Sequence, residues 1–189
     1  MKLVFATHNP GKLQEVKELI GHKYDVIGLS ELGDVDEIPE NEATLEGNAL
    51  IKVRTIWNKY GLPCFSDDTG LEIDALNGAP GVHSARYAGD DKNPKDNIAK
   101  VLEALVNQPN RSAQFRTAVA LIIHGQEHVF EGIIRGEIAE VETGSQGFGY
   151  DPIFIPEGHS ISFAEMDNTE KNNISHRGRA IAKLVEFLV

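Results

Sequence analysis

Four short polar clusters interrupt the apolar runs of this chain, and each carries side chains suited to handling a phosphorylated ligand. The first is Thr7-His8-Asn9-Pro10-Gly11-Lys12, at a junction that reads as strand-to-helix. Such a junction aims free backbone N–H groups and the positive end of a helix at whatever sits there, which favours phosphate. Lys12 adds a cation, and Thr7 and Asn9 add short polar groups. The string is not a GxxxxGK[ST] phosphate loop, and an N-capped helix with a polar turn accounts for the same residues.

The second cluster is Ser66-Asp67-Asp68-Thr69-Gly70. Hard carboxylate oxygens suit Mg2+, which keeps several waters and is shared with substrate phosphates. On a strand the two carboxylates point to opposite faces, whereas a turn beginning there brings both to one cleft. The composition is equally that of an ordinary turn. The third is Gly147-Phe148-Gly149-Tyr150-Asp151-Pro152, whose rings either present a face for a base to stack on or anchor the loop in the core. The fourth is Lys171 followed by Ser175-His176-Arg177-Gly178-Arg179 at a predicted helix start, with Ser175 as its N-cap. Cations in a first turn oppose the helix dipole unless an anion compensates, which favours a functional reading.

The elements that must position these clusters follow an α/β pattern. Lys2 to Ala6 reads as a buried strand; Lys12 to Ile20 then reads as a helix, with Leu13, Val16, Leu19 and Ile20 at helical spacing and Gly21 as its stop. Asp25 to Leu29 is predicted as a strand, and Glu31 to Asn41 as a polar, acidic loop. A second helix starts near Thr44, with Leu45, Ala49, Val53, Ile56 and Trp57 on one side and Gly61-Leu62-Pro63 ending it. Pro63 to Ser66 and Leu71 to Ala75 read as two short strands around the Asp-Asp pair, and Gly78 to Gly89 as a loop. Asn93 to Val106 is a predicted helix. Ala113 to His124 and His128 to Ala139 form a hairpin around Gly125-Gln126. Gly144 to Asp151 reads as loop, Pro152 to Ile155 as a strand, and Ser175 to Leu188 as a closing helix. Hairpins beside strand–helix crossovers require a mixed sheet.

Composition narrows the partners. The net charge of −11 disfavours a long polynucleotide, whose backbone is gripped through a basic surplus. No repeat or linker divides the chain, so residues 1–189 are expected to form a single domain. The opening apolar run is too short for a signal peptide or membrane span. Cys64 is the only cysteine, which excludes an intrachain disulfide and fits a reducing, cytoplasmic setting. As a residue of an apolar strand, it reads as core.

Taken together and in order, these strings resemble the Ham1/inosine triphosphate pyrophosphatase family, whose bacterial members are the dITP/XTP pyrophosphatases. The likeness runs nearly end to end. It is carried by Thr7-x-Asn9-x-x-Lys12, Asn48-Ala49-x-x-Lys52 and Ser66-Asp67-Asp68-Thr69-Gly70-Leu71, then Gly78-Ala79-Pro80-Gly81-Val82-His83-Ser84-Ala85-Arg86-Tyr87. Gly147-Phe148-Gly149-Tyr150-Asp151-Pro152 and Glu170-Lys171-x-x-x-Ser175-His176-Arg177 complete it. The chain departs at His8, where the family commonly has Gly, and at Gly47, where many members carry Glu.

The resemblance implies an elongated mixed β-sheet flanked by helices, with two lobes around a central nucleotide-binding cleft and a homodimeric assembly. The implied reaction is hydrolysis of ITP, dITP or XTP to the monophosphate and pyrophosphate, with Mg2+. It places Asp68 as general base and, with Glu40, as metal ligand; Glu42 competes with Glu40 in the looser alignment there. Thr7, His8, Asn9, Pro10, Gly11, Lys12, Lys52 and Thr69 fall to the substrate on this basis. Arg86 is a lesser phosphate candidate. Phe148, Gly149, Tyr150 and Asp151 are assigned to the base, and Lys171, His176 and Arg177 complete its pocket. His176 or Arg177 would then donate to a 6-oxo group, which the amino group of adenine cannot accept. The alternatives are a pyrophosphatase for other modified nucleotides, a nucleotide-binding regulatory module without turnover, and a nucleic-acid binder.

Overall fold

The computed structural model describes all 189 residues, which fall into two compact units. The first comprises Met1–Asp68, Thr117–Gly132 and Arg177–Val189, and the second Thr69–Arg116 and Ile133–His176. The fold is α/β, with one mixed sheet supplying strands to both.

The first unit opens with β1 (Lys2–Phe5), α1 (Pro10–Ile20) and β2 (Asp25–Gly28), then α2 (Leu45–Tyr60) and the start of β3 (Cys64–Ile73). The strand order there is β2-β1-β3, continued by β5 (Ser112–Ile123) and β6 (Gln126–Ile138). β1 runs parallel to both β2 and β3, so α1 and α2 are the crossovers. Alternation along β1 and β3 sorts the core into two layers. Leu3, Phe5 and Phe65 pack with Val16 of α1 and with Ala180, Ile181 and Leu184 of α5 (His176–Leu188). Val4, Ala6 and Cys64 pack against Ala49, Val53 and Ile56 of α2. Covering both faces explains why β1 reads as an unbroken apolar run.

The second unit holds the rest of β3, β4 (Pro80–Gly81), α3 (Pro94–Ala104) and the remaining parts of β5 and β6. It closes with β7 (Phe154–Pro156) and α4 (Asn168–Ile174). β4 pairs antiparallel with β3, and β7 antiparallel with β6. Its core gathers Leu71, Ile73, Val101, Phe115, Phe154 and Phe163.

Several expectations change. The Asp-Asp pair does not open a turn: β3 runs unbroken through it for ten residues, merging the two predicted short strands. Ser66 explains part of this, since its hydroxyl donates to the Ala49 carbonyl at 2.5 Å and keeps the strand against α2. α1 begins two residues earlier than its apolar spacing shows, because Asn9 caps it and Pro10 fills the first turn, where no N–H is needed. The hairpin turn falls at His124-Gly125 rather than Gly125-Gln126. Both residues have positive φ, 52° and 75°, as a type I′ turn requires. α4, which carries Lys171, is a helix that the apolar pattern did not show; Asp167 caps it and Ser175 separates it from α5.

Candidate active site

In the first unit, charged groups alternate in sign around the end of β1 and the middle of β3. The loop after β1 is ordered by its own side chains: Thr7 Oγ1 accepts from the Asn9 amide at 3.1 Å, and Asn9 Oδ1 accepts from the Lys12 amide at 3.1 Å. Lys12 thereby stands in the first turn of α1. Its ammonium donates to Asp67 Oδ1 at 3.0 Å, and its side chain keeps 16% exposure. His8 points elsewhere, with Nε2 3.0 Å from the carbonyl oxygen of Asp36 in the acidic loop.

The alternation of β3 separates the neighbouring aspartates. Asp67 shares the parity of Phe65 and meets α1 and α5, while Asp68 shares that of Cys64 and meets α2. Lys52 and Asn48 lie one turn apart on α2 and thus on one face. Asn48 Nδ2 donates to Asp68 Oδ2 at 3.0 Å, while its Oδ1 accepts from the Glu42 amide at 3.0 Å. Lys52 donates to the Asp67 carbonyl at 2.6 Å and to Glu40 Oε1 at 2.5 Å, and lies 4.0 Å from Asp68 Oδ1. Glu40 and Asp68 are therefore gathered around one ammonium; Glu42 enters only through its backbone amide.

These surroundings drive the two carboxyl groups apart. Burial raises the pKa of Asp68, with Glu40 adding to the rise and Lys52, Lys12 and Asn48 restraining it. For Asp67 burial acts in the same sense, but Lys12, Arg177 and Lys52 outweigh it and hold the group well below the usual carboxylate range. Lys52 is buried, which favours loss of its proton, yet Asp68, Glu40 and Asp67 keep it charged. The two neighbours are thereby pushed in opposite directions: Asp67 is held as an anion, and Asp68 has raised proton affinity.

Arg177, at the start of α5, donates through Nε to Asp67 Oδ2 at 2.9 Å and through Nη1 to Glu15 Oε2. These anions compensate its place in a helical first turn. Asn48 and Glu15 join these contacts although sequence reasoning gave them no role, and Asp67, read there only as one of two carboxylates suited to Mg2+, is here an ion-pair partner of Lys12 and Arg177. The i, i+4 relation of Asn48 to Lys52 was a readable signal for one of them; the partners of Glu15 and Asp67 lie far off in sequence.

The second unit holds the aromatic cluster. Asp151 Oδ2 accepts from the Phe148 amide at 2.8 Å and from Lys171 Nζ at 2.7 Å, both carboxylate and ammonium being almost wholly buried. The Lys171 ammonium lies 4.9 Å from the centroid of the half-buried Phe148 ring and 5.7 Å from that of Phe163. Gly147 has φ +73°, and a Cβ there would stand 2.1 Å from Asp151 Oδ2, so glycine is required for this closure. Tyr150 is buried and donates to the Ser84 carbonyl at 2.7 Å, a loop anchor. His176 is buried and stacks on Phe115 with centroids 4.5 Å apart. Thr69 is half-buried at the first position of this unit, and Gly149 has positive φ beside Tyr150.

No cluster of three or more His, Cys, Asp or Glu side chains stands ready to hold a metal. Asp68 and Glu40, which flank Lys52, are the carboxylates that could hold a divalent cation, since such an ion can be bound by one or two carboxylates with water and phosphate filling the remaining positions. No helix is long and apolar enough to cross a membrane.

The chain is 55% identical to a dITP/XTP pyrophosphatase of Porphyromonas gingivalis, covering 100% of this chain and 97% of that one. It is 46% identical to the dITP/XTP pyrophosphatase of Bacillus subtilis, covering 98% and 96%. A solved HAM1 protein structure from Coxiella burnetii superposes with a TM-score of 0.90 at 42% identity, over 100% of this chain and 98% of that one. The Ham1 family model matches residues 3–187, and the chain belongs to the Ham1 family.

Proposed function

We propose that this chain hydrolyses non-standard purine nucleoside triphosphates of the ITP, dITP and XTP type to the monophosphate and pyrophosphate. The observation that carries the reading is the opposed pair Asp67 and Asp68 around Lys52, because it supplies a proton acceptor beside fixed cations. Relatives named dITP/XTP pyrophosphatase, matched over 97% and 96% of their length, support the substrate class. A carboxylate of raised proton affinity beside the Lys52 ammonium favours turnover over a regulatory module that only binds.

Asp68 takes a proton from water as its oxygen bonds to the α-phosphorus, and the bond to the pyrophosphate leaving group breaks. Asn48 holds the plane of that carboxylate through Oδ2. Lys12 and Lys52 offset phosphate charge, and the start of α1 is an end of a helix where an anion is favoured. Phe148 offers a ring face to the base, with Lys171 and Asp151 setting its position. His176 is the candidate donor to the 6-oxo group. The Nε and Nη1 donors of Arg177 serve Asp67 and Glu15.

Asp68 and Glu40 are the residues that would hold Mg2+, whose bound form supplies charge neutralisation on the phosphates. Family resemblance supports a homodimer, and a single buried cysteine suits the cytoplasm. The test is pyrophosphate release from ITP, XTP, GTP and ATP with and without Mg2+. Strong Mg2+-dependent release from ITP and XTP alone is expected, and Asp68→Asn should lower kcat at least about 100-fold. Equal rates on all four nucleotides would remove the proposed selectivity; an active Asp68→Asn enzyme would remove its base.

A further inference from the structure

Three buried charges lie beside the turn from Thr7 to Lys12. Glu15, Arg177 and Asp67 are 7%, 2% and 1% exposed. Lys12 and Glu15 project from the same side of α1, one turn apart. From Glu15 the contacts run to Arg177 Nη1, from Arg177 Nε to Asp67 Oδ2, and from Asp67 Oδ1 to the Lys12 ammonium. The chain of ion pairs thus leaves α1 and returns to it, and the end at Lys12 is the more exposed, with 16% of its side chain open against 9% at Glu15. We propose that Glu15 is a positioning residue which, through Arg177 and Asp67, sets where the Lys12 ammonium stands to receive phosphate.

Stability alone does not account for this arrangement, because well-packed apolar residues of similar volume stabilise a core as well as buried ion pairs do. Geometry does account for it. Each oxygen of Asp67 serves a different cation, which fixes the carboxylate plane, and that plane fixes a long side chain with many rotamers of its own. Removing the negative charge of Glu15 frees Arg177 to shift towards Asp67 and compete with Lys12 for it. The role rests on the phosphate-binding reading of Lys12.

The test is a double-mutant cycle of Glu15→Gln and Lys12→Ala, read as kcat/KM for ITP with Mg2+ and as Tm. Glu15→Gln should lower kcat/KM about tenfold in the wild-type background but less than about twofold when Lys12 is already Ala. Tm checks that every variant of the cycle is folded. The same fold-loss in both backgrounds, or none in either, overturns the proposal. Calorimetric affinity for inorganic triphosphate repeats the cycle without hydrolysis, so a failed activity and a failed positioning role are told apart. Should Glu15→Gln not fold, Glu15→Asp, which keeps the charge one methylene back, takes its place with the same expected non-additivity.

Discussion

Asp151→Asn separates the charge of the Asp151–Lys171 pair from its shape. The asparagine carbonyl can still accept from the Phe148 amide, but the Lys171 ammonium loses the Asp151 carboxylate 2.7 Å away in a site where both side chains are 4% exposed. Breaking a buried ion pair from one side costs about 3–5 kcal/mol. For a chain of this length each kcal/mol moves Tm by roughly 2–4 °C, so a fall on the order of 10 °C is expected. The double variant Asp151→Leu with Lys171→Met removes both charges. It should recover stability to within about 1 kcal/mol of wild type, since apolar replacement of a buried pair is close to neutral. Activity should not return with it, because Phe148 then has neither the carboxylate that holds its amide nor the cation beside its ring. Thermal and urea unfolding, followed by kcat/KM for ITP, decide the matter. A loss below about 1 kcal/mol for Asp151→Asn would show that the pair is solvated. Full activity in the double variant would show that Asp151 does not position the stacking ring.

Two further outcomes follow from groups outside the site. The Cys64 thiol, pushed up to about 12 by burial and donating to the Val53 carbonyl at 3.4 Å, should resist iodoacetamide at pH 8 in the native protein. It should react promptly in denaturant, as mass spectrometry would show, and rapid native labelling would contradict its buried place. Asp34 accepts from Lys59 at 3.0 Å and from the Tyr60 hydroxyl at 2.8 Å. The Lys59 contact leads in lowering its pKa, burial opposes, and Tyr60 and the Asp36 amide add to the fall. A depressed carboxyl stabilises the fold above its unfolded pKa and loses that contribution as pH falls through the folded value. Asp34→Asn should therefore be less stable than wild type at pH 7, with the gap closing below about pH 4 in urea titrations. A gap independent of pH would refute the electrostatic account.

Much of this protein was legible in order and spacing. β1, α1, α2, α3 and α5 were readable because their apolar residues repeat with the period of the element and their ends carry caps, as at Thr44, Gly61 and Asn93. The turn from Thr7 to Lys12 was recognisable because capping and phosphate binding draw on the same local donors. Local chemistry failed where a distant partner decided the backbone. Ser66-Asp67-Asp68-Thr69-Gly70 has the composition of a turn, yet packing against α2 and the hydroxyl bond to Ala49 hold it as strand. α4 escaped notice because seven residues are too few to display a helical period.

By itself the sequence determined the α/β class and the family, both of which depend on local pattern and on strings matched in order. Tertiary structure alone decided what the residues of the site do to one another. β3 alternates, so Asp67 and Asp68 face different helices and their proton affinities part, although they are neighbours of identical chemistry. Arg177 reads from sequence as a base-pocket residue, and only the fold brings it between Asp67 and Glu15, 110 and 162 positions away. A pKa and an ion-pair partner depend on burial and on charges within a few ångströms, and distance along the chain carries neither.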